Sequence, residues 1–351
     1  MSRRRRDDSE PAGVLLVDKP AGPTSHDVVG FVRWALGVRR VGHCGTLDPA
    51  ATGLLVVGVG AATKLVPYLT GQDKGYRAVF SLGRRTTTGD AQGEVLDRRP
   101  CPPGLEERVP PALAALRGTL ELPPPAFSAI HVDGKRAHEL ARAGELTELP
   151  ARPMTVLRME PGPVTRESDR VEVQVTLLVS KGTYVRSLAE ALGQRLGVPA
   201  HLAALHRLSS GALSLSDPRA LGPLRACPRE PGPQGIARWR IEGPAELGSE
   251  REALGAWLRA HLLDPALAVP LPLLRADPGE GGQRALRCLS SGQPVPLHDP
   301  GLHGTAGDAE RVAIAPAEPG EPGLVVARVT GEGLDARLEP ERVVVPPALR
   351  P

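Results

Sequence analysis

Aromatic residues make up only 3% of this 351-residue chain, and its 43 basic residues include just five lysines. Its four cysteines (Cys44, Cys101, Cys227, Cys288) lie far apart and form no CxxC pair. Neither a zinc ribbon nor a disulfide framework is expected, and reduced thiols are the simplest reading. No stretch approaches the roughly 18 consecutive apolar residues that a membrane helix needs. The opening Met1–Glu10 lacks the apolar run of a signal peptide, so a cytoplasmic, non-membrane protein is expected. His43 and Cys44 are adjacent with no second His/Cys pair at ligand spacing, so no metal is expected. A phosphate-cradling loop is missing too. The segment Gly58-Val-Gly-Ala-Ala-Thr-Lys64 fails GxGxxG at its last glycine, and GxxxxGK[ST] is absent. Lys64 then reads as a solvated or RNA-facing helix residue, and His26, His201 and His206 as surface or capping histidines.

What is present points to a folded protein of two domains. Hydrophobic residues reach 41%, and charges of both signs are mixed, unlike a disordered tail. The 38 arginines, 40 glycines and 38 prolines suggest a GC-rich coding bias, under which each surviving lysine marks a place to look. The net charge of +3 is uninformative until it is divided. Residues 1–100 carry 15 Lys+Arg against 10 Asp+Glu, and the remainder 28 against 30, so the positive excess is N-terminal. The run Arg3–Arg6 taken alone is an ordinary solvated tail.

Gly13–Val17 reads as a short buried strand. Ser25 then caps a helix whose Val28, Val29, Val32 and Leu36 recur at helical spacing up to Gly37. A glycine-rich loop, residues 42–53, leads into the strand Leu54–Val59 and a helix around Ala61–Leu69. Tyr76–Leu82 and Val171–Val179 alternate apolar and polar residues as half-buried strands do, and Thr86–Gly93 is a polar connection. Further strands are expected at Phe127–Val132 and Met154–Met159. Helices are expected near Ala112–Arg117, Lys135–Ala143 and Tyr184–Leu196. This interspersion gives an α+β class with a mixed or antiparallel sheet. Residues 217–249 are dense in Pro and Gly and read as a linker or insertion remote from the chemistry, followed by a short helix near Glu252–Leu262. From about residue 268, strand-like runs at Val312–Ala315, Leu324–Val329 and Arg342–Val345 indicate a small, mostly β second domain.

Asp48 precedes Pro49, and from four residues alone it reads as a helix N-cap with proline at the first helical position. Its setting favours chemistry: Gly45 and Gly53 bracket it, His43 lies five residues earlier, and the loop joins two buried elements.

Four motifs in series decide between these readings: Gly13-Val-Leu-Leu-Val-Asp-Lys-Pro20, Gly42-His-Cys-Gly-Thr-Leu-Asp-Pro-Ala-Ala-Thr-Gly53, Asp73-Lys-Gly-Tyr-Arg77 and Ser180-Lys-Gly-Thr-Tyr-Val-Arg186. In this order and at these separations they closely resemble the TruB family of tRNA pseudouridine synthases, over roughly residues 12–215. The tail looks like the PUA-like RNA-binding domain that ends bacterial members. The resemblance divides the chain into a basic tail (1–11), a synthase domain (12–216), a linker or insertion (217–267) and a PUA-like domain (268–351). It implies isomerisation of uridine 55 in the tRNA T-loop, without metal or organic cofactor, by a monomer needing no protein partner. Asp48 matches the family's catalytic aspartate, and Arg186 the arginine that pairs with it, able to meet both carboxylate oxygens. Tyr76 matches the tyrosine that stacks on the extruded base. His43 and Tyr184 match positions around the flipped nucleotide, Leu205 lines the pocket, and Lys19 and Pro20 support it. Cys44 and Ala50 depart from the usual loop residues and bear on its packing. A guide-RNA-directed synthase subunit and a non-catalytic tRNA-binding or tRNA-folding protein are the alternatives.

Overall fold

The computed structural model describes residues 10–345 apart from 129, 133–134, 138–139, 141–142, 144–148, 233–236 and 320. The chain forms β1 (Gly13–Lys19), α1 (Ser25–Leu36), β2 (Val41–His43) and β3 (Thr52–Val59), then a 3-10 turn (Gly60–Leu65) running into α2 (Val66–Thr70). β4 (Lys74–Leu82), the pair β5 (Arg84–Thr86) and β6 (Val95–Arg98), α3 (Leu105–Ala114) and β7 (Gly118–Leu122) follow. The short pair β8 (His131–Val132) and β9 (Lys135–Arg136), β10 (Arg152–Glu167), β11 (Arg170–Val179), α4 (Val185–Leu196), β12 (Ala200–Ser210) and β13 (Leu213–Ser214) complete this half. The main sheet has the order β1-β3-β12-β4-β11-β10-β7 and is antiparallel except where β12 runs parallel to β3. It is the mixed sheet of an α+β protein.

The apolar runs of β1 and β3 have a structural cause. Leu15, Val17, Leu55 and Val57 face the main core, whereas Val14, Leu16, Leu54 and Val56 face a second core on the other side. Strands buried on both faces have no polar alternation to show. β4 and β11 do alternate, because one face of each meets solvent at residues such as Arg77 and Gln174.

Several expectations shift. Thr24, not Ser25, caps α1, through a reciprocal box with Asp27 that frees the Ser25 hydroxyl for other use. α3 begins at Leu105, well before Ala112, because Leu105, Val109 and Leu113 form one buried stripe through Pro110 and Pro111. Among the described residues of the strand expected at Phe127–Val132, only His131–Val132 forms one. Within Lys135–Ala143 the first two residues form β9, and 138–139 and 141–142 lie outside the described residues.

The segment read as a linker is folded onto the body. Leu221 forms a bridge with Val17, and β14 (Arg225–Arg229) and β15 (Arg238–Glu242) make an antiparallel pair. Leu221, Leu224 and Ile241 enter the main core, and their scattered spacing explains why no period was visible. α5 (Arg251–Ala260) packs on α1, and α6 (Pro265–Ala268) leads to the C-terminal unit. That unit contains β16 (Leu273–Ala276), α7 (Glu280–Ser290), β17 (Val295–Pro296), β18 (Leu302–His303), β19 (Arg311–Pro316), β20 (Leu324–Thr330) and β21 (Arg337–Val345). These strands form one sheet of order β17-β21-β20-β19-β16-β18. Ala313, Ala315, Val326 and Val344 share the second core with β1 and β3, so the junction is apolar. Lys64 also belongs to this junction: its ammonium donates to Val343 O at 2.5 Å, a structural use rather than a solvated one.

Candidate active site

The Asp48 loop connects β2 to β3, and no helix follows the aspartate. Ala51 N–H donates to Asp48 O at 3.0 Å, closing a turn, and β3 starts at Thr52. The helix-cap reading therefore fails. The carboxylate instead meets a side chain, with Asp48 Oδ2 3.1 Å from Arg186 Nη2. The loop is pinned at each step. Ser25 Oγ donates to Leu47 O (3.0 Å) and lies 2.9 Å from Leu47 N–H, which donates to it. Gly53 marks a close approach, because at φ +97° a Cβ there would stand 2.4 Å from Arg207 O. Only glycine lets β12 lie so close beside β3.

Arg186, the second residue of α4, is 6% exposed at its side chain, against 38% for Asp48. The carboxylate sits in crowded surroundings yet opens to solvent on one side, as a group reached by substrate must. Arg186 was expected to grip both carboxylate oxygens, but its fork is divided. Nη1 donates to Thr88 O (2.9 Å), and Nη2 serves both Phe127 O (3.0 Å) and Asp48. One guanidinium thus ties Thr88, Phe127 and α4 to the Asp48 carboxylate. A second carboxylate, Asp90, lines the same pocket with Ala51, Ala91, Leu202 and Leu205. Burial first, and Asp90 next to it, push the Asp48 carboxyl above the usual carboxylate range, while Arg186 and then Lys19 pull it down. A larger cleft between Tyr68 and Arg311 lies at the junction with the C-terminal sheet, away from this chemistry.

Two fully buried cations hold the loop without a carboxylate. Lys19 Nζ, at the end of β1, donates to Pro20 O (2.8 Å), Pro49 O (3.2 Å) and Ala51 O (2.8 Å), clasping the chain on the far side of Asp48. Burial depresses its pKa to about 8, against the raising pull of Asp48 and Asp27. Arg207, on β12, donates from Nε to Leu54 O (2.6 Å), from Nη2 to Gly45 O (3.1 Å) and from Nη1 to Thr46 O (3.4 Å). Replacing Lys19 by Met should strand these carbonyls and cost about 2–4 kcal/mol. The expected result is a melting temperature lowered by on the order of 5 °C, with turnover reduced at least about tenfold. Unchanged melting and turnover would show that the clasp is dispensable.

The other expected residues are placed as follows. Pro20 follows Lys19 and offers it a carbonyl. His43 ends β2, and its ring meets that of His26 edge-on at 5.1 Å. Its Nδ1 is buried without a hydrogen-bond partner among the described residues, and burial, then His26, lower its pKa, so it is neutral at pH 7. Tyr76 is 8% exposed on β4, opposite Arg207 and Leu177 in the neighbouring strands. Tyr184 is the N-cap of α4, beside Ser128 and close enough to Asp48 and Arg186 to feel both charges. Leu205 lines the Asp48 pocket on β12, just past an irregularity in its pairing with β4 between Leu202 and Ala204. Such bulges re-aim side chains next to active sites. Burial pushes the Cys44 thiol up to about 12, so it is no second nucleophile. His201 is buried against Arg84 O, and His206 Nδ1 lies 2.9 Å from Thr52 Oγ1, so neither is a free surface histidine. Asp90 and Arg207 escaped the sequence reading. The one signal for Asp90 was its place in the polar Thr86–Gly93 connection, and Arg207 gave none beyond following Leu205 in the same strand.

Comparisons with known proteins bear on the family and the fold. A family model described as TruB family pseudouridylate synthase (N terminal domain) matches residues 33–185. The chain is 47% identical over 222 residues to tRNA pseudouridine synthase B of Corynebacterium aurimucosum, covering 63% of this chain and 75% of that one. To the protein of the same name from Thermobifida fusca it is 49% identical over 218 residues, 61% and 74% of the two chains. Among solved structures it is similar to a chain of a Cbf5-Nop10-Gar1 complex, with TM-score 0.63 and 24% identity over 95% of this chain and 85% of that chain. At that identity the likeness speaks for the fold, including the C-terminal sheet.

Proposed function

We propose, because this chain belongs to the TruB family and so isomerises uridine to pseudouridine in tRNA, that its target is uridine 55 of the T-loop and that Asp48 is the attacking group. The observation that carries this reading is the Asp48 carboxylate, partly open to solvent in its cleft and held 3.1 Å from a buried guanidinium. The reaction breaks the N1–C1′ bond, reattaches the uracil through C5 and releases the C5 proton to solvent. It consumes no oxidant, reductant or co-substrate. A carboxylate supplies the covalent partner that holds the detached half, whether it adds to the base or to the ribose.

A uridine stacked within the T-loop is out of reach, so it must be extruded at a cost of a few kcal/mol. Tyr76 stacks on the extruded base, His43 and Tyr184 flank it, and Leu205 gives the pocket an apolar wall. Lys19 and Pro20 keep the loop in place. The synthase domain spans residues 12–216, and the sheet from residue 268 onward grips RNA as a PUA-like domain. The enzyme acts alone on free tRNA.

The test uses the full chain and a bare tRNA transcript labelled with 5-tritiated uridine, with no guide RNA present. About one equivalent of tritium per tRNA is expected, and none from a transcript with cytidine at position 55. Release that persists from the substituted transcript would place the target elsewhere. A requirement for added guide RNA would favour the ribonucleoprotein reading.

A further inference from the structure

The hairpin β14/β15 is two-faced. Its register sets Arg225 opposite Glu242, Cys227 opposite Arg240 and Arg229 opposite Arg238. Directly opposed residues in an antiparallel pair share a face, and so do residues two apart. One face therefore carries four arginines and one glutamate. The other carries Ala226, Pro228, Trp239 and Ile241, and Ile241 is buried in the main core. The arginine face is exposed, with the Arg225 and Arg240 side chains 54% and 55% accessible. Both of these reach Glu242. Arg229 and Arg238 are exposed and have no carboxylate partner among the described residues. Like charges placed directly opposite destabilise a strand pair, so folding alone gives no reason for this arrangement.

The hairpin is also seated beside the catalytic loop. A Cβ on Gly22, at φ +106°, would stand 2.6 Å from the Trp239 indole, so the ring lies directly against that glycine. Gly22 N–H in turn donates to Pro49 O at 2.8 Å, next to Asp48. Apolar contact thus holds the hairpin against the segment that carries Asp48, with its arginine face turned away from that contact.

We infer that the outer face of this hairpin, through Arg229 and Arg238, binds phosphodiester groups of the tRNA whose uridine enters the Asp48 pocket. The inference rests on the tRNA reading above. A phosphate bound between the two strands offsets the like charges of Arg229 and Arg238, which are paired directly across them, and guanidinium forks match its geometry. The contact is sequence-independent, because it reads the backbone and not the bases.

The test compares the full chain with the variants Arg229→Gln/Arg238→Gln and Arg229→Glu/Arg238→Glu, leaving Arg225 and Arg240 to hold Glu242. Readouts are tRNA affinity across a salt series, kcat at saturating tRNA, and melting temperature. The neutral variant should bind tRNA roughly tenfold more weakly at low salt, with its log–log salt slope shallower by about one to two. The acidic variant should lose more, while kcat stays within twofold of the parent. Melting of the neutral variant should be unchanged or raised, since a repulsive pair is removed, which a structural role would not produce. Affinity and salt slope equal to the parent's would overturn the inference, as would a loss of kcat accompanied by lower melting. If the parent itself releases no tritium from tRNA, the reading of Asp48 and its substrate fails separately, and the affinity data still decide the hairpin.

Discussion

Asp48→Asn is expected to lower tritium release by about four orders of magnitude or more, the scale on which removal of a nucleophile acts, while tRNA affinity stays within a few-fold of the parent. The amide keeps the shape of the carboxylate but cannot form the covalent bond. Affinity survives for an electrostatic reason: the substitution removes a negative charge from a cleft that receives a polyanion, so binding is held or slightly tightened. Stability survives as well. Burial and Asp90 already disfavour the Asp48 charge, and Arg186 keeps its bonds to Thr88 O and Phe127 O when the charge is gone. The measurement is single-turnover tritium release, with filter binding and thermal melting alongside. Residual release within tenfold of the parent would remove Asp48 from the chemistry.

The parts of the fold that could be read from sequence are those where one physical pattern dominates. β4 and β11 alternate because each has a wet face, and α1 shows its apolar stripe and its stop. β12 was invisible although it lies in the middle of the sheet. Its sequence, AHLAALHRLSS, begins buried, is rich in alanine, and is broken by irregular pairing after Leu202 and again after Arg207, so neither period of two nor strand composition survives. The hairpin at 225–242 was hidden because its strands are short, one of them is interrupted by Pro228, and its apolar face holds only a few side chains.

The site divides in the same way. Asp48, Tyr76 and Arg186 were expected from motifs that resemble a family, and the structure brings Asp48 and Arg186 into contact, whereas Asp48 alone suggested a helix cap that the structure lacks. The groups that hold the loop were harder to find. Arg207 acts wholly through backbone carbonyls, an interaction that no spacing announces. The sparse lysines were a useful pointer with a different meaning from the one first attached to them. Lys19, Lys64 and Lys74 each spend the ammonium on backbone carbonyls, fastening the Asp48 loop, the domain junction and the end of α2.

Arg186 carries the second large expected effect, and its sign follows from the balance around Asp48. Arg186 is the strongest influence holding that carboxyl down against burial and Asp90. The acid limb of kcat/KM should therefore already lie above the ordinary aspartate range near about 4. With Arg186→Gln the opposing cation is gone, the Asp48 pKa rises further, and a smaller fraction of enzyme carries the ionised nucleophile at any given pH. We expect kcat/KM at pH 7 to fall roughly 100-fold or more, through lost ionisation and through loosening of the Thr88 and Phe127 segments. Raising the pH should recover only the first part. Arg186→Lys separates the two contributions. A lysine restores the charge but has no planar fork to serve two carbonyls and a carboxylate together. Its acid limb should return close to that of the parent, while its plateau stays depressed by about tenfold. The measurement is kcat/KM for tritium release from pH 5 to pH 9 in all three proteins. An acid limb at the same pH in the glutamine variant and the parent would mean that Arg186 does not govern the charge of Asp48, and its position 3.1 Å away would then be structural alone.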